Sequence, residues 1–262
     1  MKNLVMKKLP VFIILLSLIC YASLAAPSRE YYELRTYRFK NTEQQDRVEA
    51  YLQKALLPAL HRIGIKKIGV FKPVETDSTY GKKLIVLIPF RSLEEFDKLA
   101  DKLSKDKQYL ADGKDYIDAV YDSPPYARIE TTVLKAFSRM PESAVPDLKT
   151  PVSERVYELR SYEGHTEKIY RNKVQMFNDG DEVGLFKRLG FNAVFYAEVL
   201  AGSTMPNLMY MTTFESKASR DEHWKAFGQD PQWKTLSAMP EYQHNVSKNV
   251  TLFFRPTGYS DI

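Results

Sequence analysis

Apolar and polar positions alternate along the chain in two periods, and the order of those periods repeats. Glu30 to Lys40 alternates with period two around the motif Tyr32 to Tyr37, which predicts a strand. After Thr42-Glu43-Gln44-Gln45, read as a capping box, Val48, Tyr51, Leu52, Ala55, Leu56, Ala59 and Leu60 follow three-four spacing and predict a helix. Pro58 removes a backbone donor and should distort that helix near its end, and Gly64 should stop it. Two apolar runs, Ile65 to Val74 and Lys83 to Phe90, predict a hairpin. Ser92-Leu93-Glu94-Glu95 starts a second helix whose stripe is Leu93, Phe96, Leu99, Ala100 and Leu103, and Arg128 to Phe137 reads as a closing strand.

The same order then recurs. Arg155 to Glu163 predicts a strand, Thr166 to Leu189 a helical region broken at Asn178-Asp179-Gly180, and Gly190 takes the place of Gly64. Strands follow at Asn192 to Leu200 and Leu208 to Phe214, then helices over Ala218 to Phe227 and from Asp230-Pro231, and a last strand at Asn249 to Arg255. Tyr32-Glu33-Leu34-Arg35-Thr36-Tyr37 returns as Tyr157-Glu158-Leu159-Arg160-Ser161-Tyr162, 125 residues later (158 less 33). Each half is therefore β-α-β-β-α-β, the ferredoxin-like order. Helices cover one face of such a sheet, and the other face needs a partner. The predicted fold is α+β: two tandem ferredoxin-like domains forming a dimeric α/β barrel within one chain.

The ends and the middle complete this organisation. Lys2, Lys7 and Lys8, the short apolar run Val11 to Ile19, and small residues up to Ala25 predict a secretory signal peptide over residues 1–25, too short for a membrane span. Domains are expected at 28–139 and 154–257, joined by a semi-extended linker over 140–153 that contains Pro141, Pro146 and Pro151. The chain is thus expected to be exported to the periplasm or the extracellular space. Attachment as a lipoprotein through Cys20 is disfavoured by the bulky Ile19 before it.

Removing the leader changes the charge. The whole chain is formally +5, and the leader holds three lysines and no acid, leaving +2. There is no basic block with interleaved aromatics, so a nucleic-acid partner is not expected. Cys20 is the only cysteine, which excludes disulfides, thiolate chemistry and cysteine metal sites from the mature chain. His61, His165, His223 and His244 form no metal-binding spacing, and no metal or cofactor is expected. His165, just after the second motif strand, is a minor candidate for a general base. There is no P-loop, dinucleotide fingerprint or nucleophile elbow.

The repeated motif, the Ile68-Gly69-Val70-Phe71 segment, and the stretch from Phe214-Glu215-Ser216 to Asp230-Pro231-Gln232-Trp233 resemble the NIPSNAP family, over roughly residues 30–137 and 155–255. The first half departs from it with Lys107 and Tyr109 in place of Pro231 and Trp233. The resemblance implies the dimeric α/β barrel superfamily, which includes cofactor-free monooxygenases, mutarotases and haem enzymes. It implies no particular reaction.

Candidate chemistry lies on the motif strands. With period two, Tyr32, Leu34 and Thr36 share one face, and Glu33, Arg35 and Tyr37 share the other. The expectation is that Glu33, Arg35, Tyr37, Glu158, Arg160 and Tyr162 point into the barrel. There they would bind a small polar or anionic ligand, since arginine grips carboxylates and tyrosine donates to oxyanions. The competing expectation, and the favoured one, is a closed ion-pair network, because interior charges must pair. Binding of a small molecule is the leading functional reading. A cofactor-free enzyme of monooxygenase, isomerase or lyase type and a homo-oligomeric assembly or accessory protein are the alternatives.

Overall fold

A computed structural model describes residues 28–262, so the leader and Cys20 lie outside the described residues. The first half contains β1 (Tyr31–Arg38), α1 (Thr42–Tyr51), α2 (Leu57–Arg62), β2 (Gly69–Pro73), β3 (Lys83–Phe90), α3 (Leu93–Asp97), α4 (Leu99–Leu103), α5 (Lys107–Asp112), α6 (Lys114–Ile117) and β4 (Arg128–Ala136). The second contains β5 (Val156–Glu163), α7 (Glu167–Asn178), α8 (Glu182–Arg188), β6 (Asn192–Ala201), β7 (Asn207–Phe214), α9 (Lys217–Gln229), α10 (Pro231–Ala238) and β8 (Lys248–Pro256).

The eight strands close into one antiparallel barrel in the order β1-β3-β2-β8-β5-β7-β6-β4. Each half contributes a four-stranded ferredoxin-like sheet, and the seams are β2–β8 and β4–β6. Closure removes every free strand edge. The fold is α+β, two tandem ferredoxin-like units forming the barrel that the repeat predicts.

Local signals behave as their chemistry dictates, with two shifts. Gly64 and Gly190 stop α2 and α8 at φ of +87° and +77°. In both, the following N–H reaches back five residues, Ile65 to Leu60 and Phe191 to Phe186, each at 3.0 Å. The N-cap of α1 is Asn41, not Thr42. Its Oδ1 accepts from the Gln44 N–H at 3.0 Å, and the Gln44 side chain accepts from the Lys40 N–H at 2.9 Å. Ahead of Pro58, the helix opens into a π-helical stretch at Leu52–Leu56, which makes room for the ring and the missing donor.

The middle of the barrel is a packed apolar core, and a cavity of about 170 Å³ at one mouth is lined by Thr36, Arg38, Lys83 and Glu130. Tyr32, Leu34, Phe71, Leu87, Leu134, Tyr157, Leu159, Phe195, Met211 and Phe254 meet in that core, all at most 4% exposed. An eight-stranded barrel has an interior just wide enough for its side chains. Leu148 and Ile262 join this cluster from outside the strands. Two further cores lie between the barrel wall and the helices, one in each half.

The 140–153 segment is clipped to the barrel over much of its length. The Ser143 N–H donates to Glu30 at 2.7 Å, the Ala144 N–H to the Val194 carbonyl at 2.9 Å, and the Lys149 and Thr150 N–H groups both reach Glu215. The Thr150 hydroxyl also donates to the Glu215 carboxylate, at 2.7 Å, and these bonds hold Glu215 at a pKa lowered to about 2. A carboxylate whose folded pKa is depressed stabilises the fold above its unfolded pKa. That contribution disappears as pH falls through the folded value. Glu215→Gln is therefore expected to lower the urea midpoint at pH 6, and the difference from wild type should shrink as pH drops from about 4.5 towards 2. A difference that does not change with pH would mean that the Glu215 charge does not hold the segment.

Candidate functional site

The six motif residues do not point into the barrel. The inward face of β1 carries Tyr32 and Leu34, and that of β5 carries Tyr157 and Leu159. Glu33, Arg35, Tyr37, Glu158, Arg160 and Tyr162 face outwards, under the helices. The expectation had the faces reversed. The apolar middle of the barrel offers charges no partners, and the inward-facing Arg38 finds Glu130 at 2.6 Å only at the mouth. The helix layer supplies hydrogen-bonding side chains and reaches solvent at its margin.

The two copies begin alike. Arg35 stands opposite Thr131 on β4, and Arg160 stands opposite Thr251 on β8. Glu33 receives Nε and one terminal nitrogen of Arg35 at 2.8 and 3.0 Å, and the Thr131 hydroxyl at 3.1 Å. Glu158 lies 3.1 Å from Arg160 Nε, which also donates to Thr251 at 3.1 Å. Tyr37 and Tyr162 each accept from the arginine of their own strand, at 3.4 and 3.0 Å.

They diverge at the helices above. Ser92 and Ser216 cap α3 and α9, and Asp106 and Asp230 cap α5 and α10. Each pair is 124 residues apart (216 less 92, 230 less 106), so the residues between them correspond one to one. Trp224 then corresponds to Ala100, and Arg220 to Phe96.

In the second half, the Trp224 ring lies on the Arg160 guanidinium, 4.1 Å from ring centre to carbon, and its indole N–H donates to Glu158 at 2.9 Å. Arg220 grips both oxygens of Glu158 at 2.7 and 2.8 Å. This carboxylate, fully buried, is thus closed in by two arginines and a tryptophan. Tyr162 and Tyr210 share a 2.8 Å hydrogen bond, and burial pushes both phenols above their ordinary pKa.

In the first half, the corresponding volume is open. A cleft of about 550 Å³ lies over β1, bordered by Glu33, Arg35, Tyr51, Phe96, Ala100 and Tyr109. The stripe predicted for one continuous helix is split between α3 and α4. Leu93 and Ala100 are exposed, whereas Leu99 and Leu103 are buried. The second half has an unbroken α9 anchored by Trp224, but alanine gives the first half nothing to hold its helix down onto the sheet.

The floor of the cleft is neutral and hydrogen-bonding, and Asp97 adds a carboxylate on its exposed rim. Burial disfavours the Arg35 charge, but Tyr37 and Glu33 outweigh it, and the guanidinium pKa is raised. Tyr51 and Tyr109 share a hydrogen bond of 2.8 Å, and burial raises both phenol pKa values. At neutral pH they are donors or acceptors, not phenolates.

The histidines are dispersed. His61 bonds Asp261 at 2.9 Å, His223 Nδ1 bonds the Ser219 carbonyl and packs on Phe191 and Phe214, and His165 is exposed. Among the described residues, no group of three or more His, Cys, Asp or Glu side chains could hold a metal ion. The sequence reading missed Trp224 and Arg220 as the residues that close one site, and Ala100 as the one that leaves the other open. The 124-residue offset contained that signal.

Solved structures with this fold include a provisionally assigned monooxygenase from Lactobacillus acidophilus, with a TM-score of 0.55 and 8% identity over 87% of this chain and 94% of that one. A provisionally assigned monooxygenase from Fusobacterium nucleatum matches with a TM-score of 0.56 and 7% identity, over 88% and 93%. An anthrone oxidase-like protein matches with a TM-score of 0.52 and 12% identity, over 88% and 93%. At such identities the likeness extends to the fold alone. No curated protein matches by sequence. The NIPSNAP family profile matches residues 32–122 and 157–261, most of both halves of the barrel. With its repeated motif strand and this two-segment match, the chain belongs to the NIPSNAP family.

Proposed function

We propose that this NIPSNAP protein binds a small organic molecule in the first-half cleft, and that it does so after export. The observation that carries the binding reading is the contrast between the two copies of one polar site. Where Trp224 and Arg220 fill the space over Glu158 and Arg160, Ala100 and Phe96 leave about 550 Å³ over Glu33 and Arg35. That volume is in the range of small-molecule pockets, and its mixture of aromatic walls with a few convergent polar groups is typical of them. Export rests on the basic, apolar and small-residue pattern of residues 1–25.

The barrel interior offers less space, about 170 Å³ at one mouth, since aromatic and aliphatic side chains fill its middle. The cleft favours holding over transforming. The Glu33 carboxylate is engaged by Arg35 and Thr131, and the raised phenol pKa values leave Tyr51 and Tyr109 protonated at neutral pH. The remaining carboxylate of the lining, Asp97, stands on the exposed rim rather than on the floor beside Glu33 and Arg35.

Four probes test the reading: indole, 1-methylindole, benzoate and hexanoate, titrated while the Ala100 methyl resonance is followed. At least one should shift it saturably, with Kd on the order of 1 mM for molecules of this size. Ala100→Trp, followed through the Leu103 methyl resonances that also line the cleft, should abolish binding without lowering the melting temperature. If none of the four perturbs Ala100, or if Ala100→Trp binds as well as wild type, the cleft is not a binding site.

A further inference from the structure

The second half shows what the first-half cleft is shaped to take, because its Trp224 side chain occupies the corresponding position. There a flat ring lies on the arginine guanidinium at 4.1 Å, and a ring N–H at its edge donates to the glutamate at 2.9 Å. In the first half the sheet provides the same glutamate, arginine and threonine in the same register. Two side chains above the sheet differ: the ring is missing at Ala100, and Phe96 stands where Arg220 grips the glutamate.

The Glu33 carboxylate has capacity for the missing bond. Its Oε2 accepts from Arg35 alone, whereas Oε2 of Glu158 accepts from both Arg220 and Trp224. An ionised carboxylate offers about four acceptor sites. Arg35 is already neutralised by Glu33, so an anionic group entering here would meet a carboxylate as closely as a guanidinium. A neutral donor meets no such opposition. Phe96, at the position of Arg220, replaces a cation with a further aromatic wall.

We infer that the cleft binds a neutral planar aromatic molecule carrying an N–H or O–H at its edge, of indole or phenol type, with its ring on the Arg35 guanidinium and its donor on Glu33. This deepens the binding reading above and rests on it. It names the chemical class of ligand that the cleft would prefer and the two residues that would select it.

The same titration decides the point through the order of affinities. A hydrogen bond to a carboxylate is strong enough to be worth roughly tenfold in affinity. Indole should therefore bind about tenfold more tightly than 1-methylindole, which keeps the ring and lacks the donor, and more tightly than hexanoate or benzoate, which bring a negative charge. If 1-methylindole matches indole, Glu33 does not select a donor and the inference fails. If hexanoate or benzoate shifts Ala100 and binds more tightly than indole, the inference fails while the binding reading stands. If no probe binds, both fall together.

Discussion

Replacing Glu158 by glutamine is expected to lower the melting temperature by roughly 6–12 °C. The carboxylate is fully buried and is the common partner of Arg160, Arg220 and the Trp224 indole. Removing one partner of a buried ion pair costs about 3–5 kcal/mol, because the remaining charge stays desolvated. Arg160 and Arg220 keep 14% and 17% exposure, so water can partly compensate and the low end, about 3 kcal/mol, applies. For a chain of this size each kcal/mol corresponds to about 2–4 °C. The corresponding Glu33→Gln change should shift the midpoint less. Glu33 neutralises only Arg35, which borders an open cleft. Equal shifts in the two variants, measured by circular dichroism melts, would contradict the asymmetry between the copies.

The second large effect belongs to the barrel seam. Phe71→Ala should cost about 3–5 kcal/mol, the usual range for removing a buried phenylalanine. Phe71 is completely buried, packs on Tyr157 of the other half at 5.4 Å between ring centres, and lies on β2, which pairs with β8. Because both halves fill one interior, the variant should still unfold in a single transition at a lower midpoint. Two separated transitions in a calorimetric scan would show that the halves are stable independently, against the shared core seen here.

Much of the fold was legible because its signals are local. Capping residues, glycine stops and strand alternation depend on a few neighbours, and nearly every predicted strand is within a few residues of its observed bounds. Where the helix start moved from Thr42 to Asn41, two adjacent residues were both competent caps. The split between α3 and α4 was not legible. Leu93, Phe96, Leu99, Ala100 and Leu103 satisfy helical spacing whether or not the space beneath them is filled.

The site was half legible. The sequence marked the six polar motif residues and the favoured reading paired them, and Glu33–Arg35 and Glu158–Arg160 do pair. It assigned them to the wrong side of the sheet. Period two determines which residues share a face, but it does not say which face is interior. The apolar Tyr32 and Leu34 would have been the better guide to the inside, as the packed core of the closed barrel shows.

The sequence by itself determined the duplication, the element order in each half, the membership of each strand face and the identity of the residues that differ between the copies. Only the tertiary structure decided that the two sheets close into one barrel, that its middle is filled, and that the Glu-Arg-Tyr faces lie under the helices. It also decided that one copy is plugged by Trp224 and Arg220 while the other stands open above Ala100. The physical reason is that spacing encodes which side chains travel together. Whether a volume is filled depends on side chains brought from distant parts of the chain, and on whether the charges they cover find partners there.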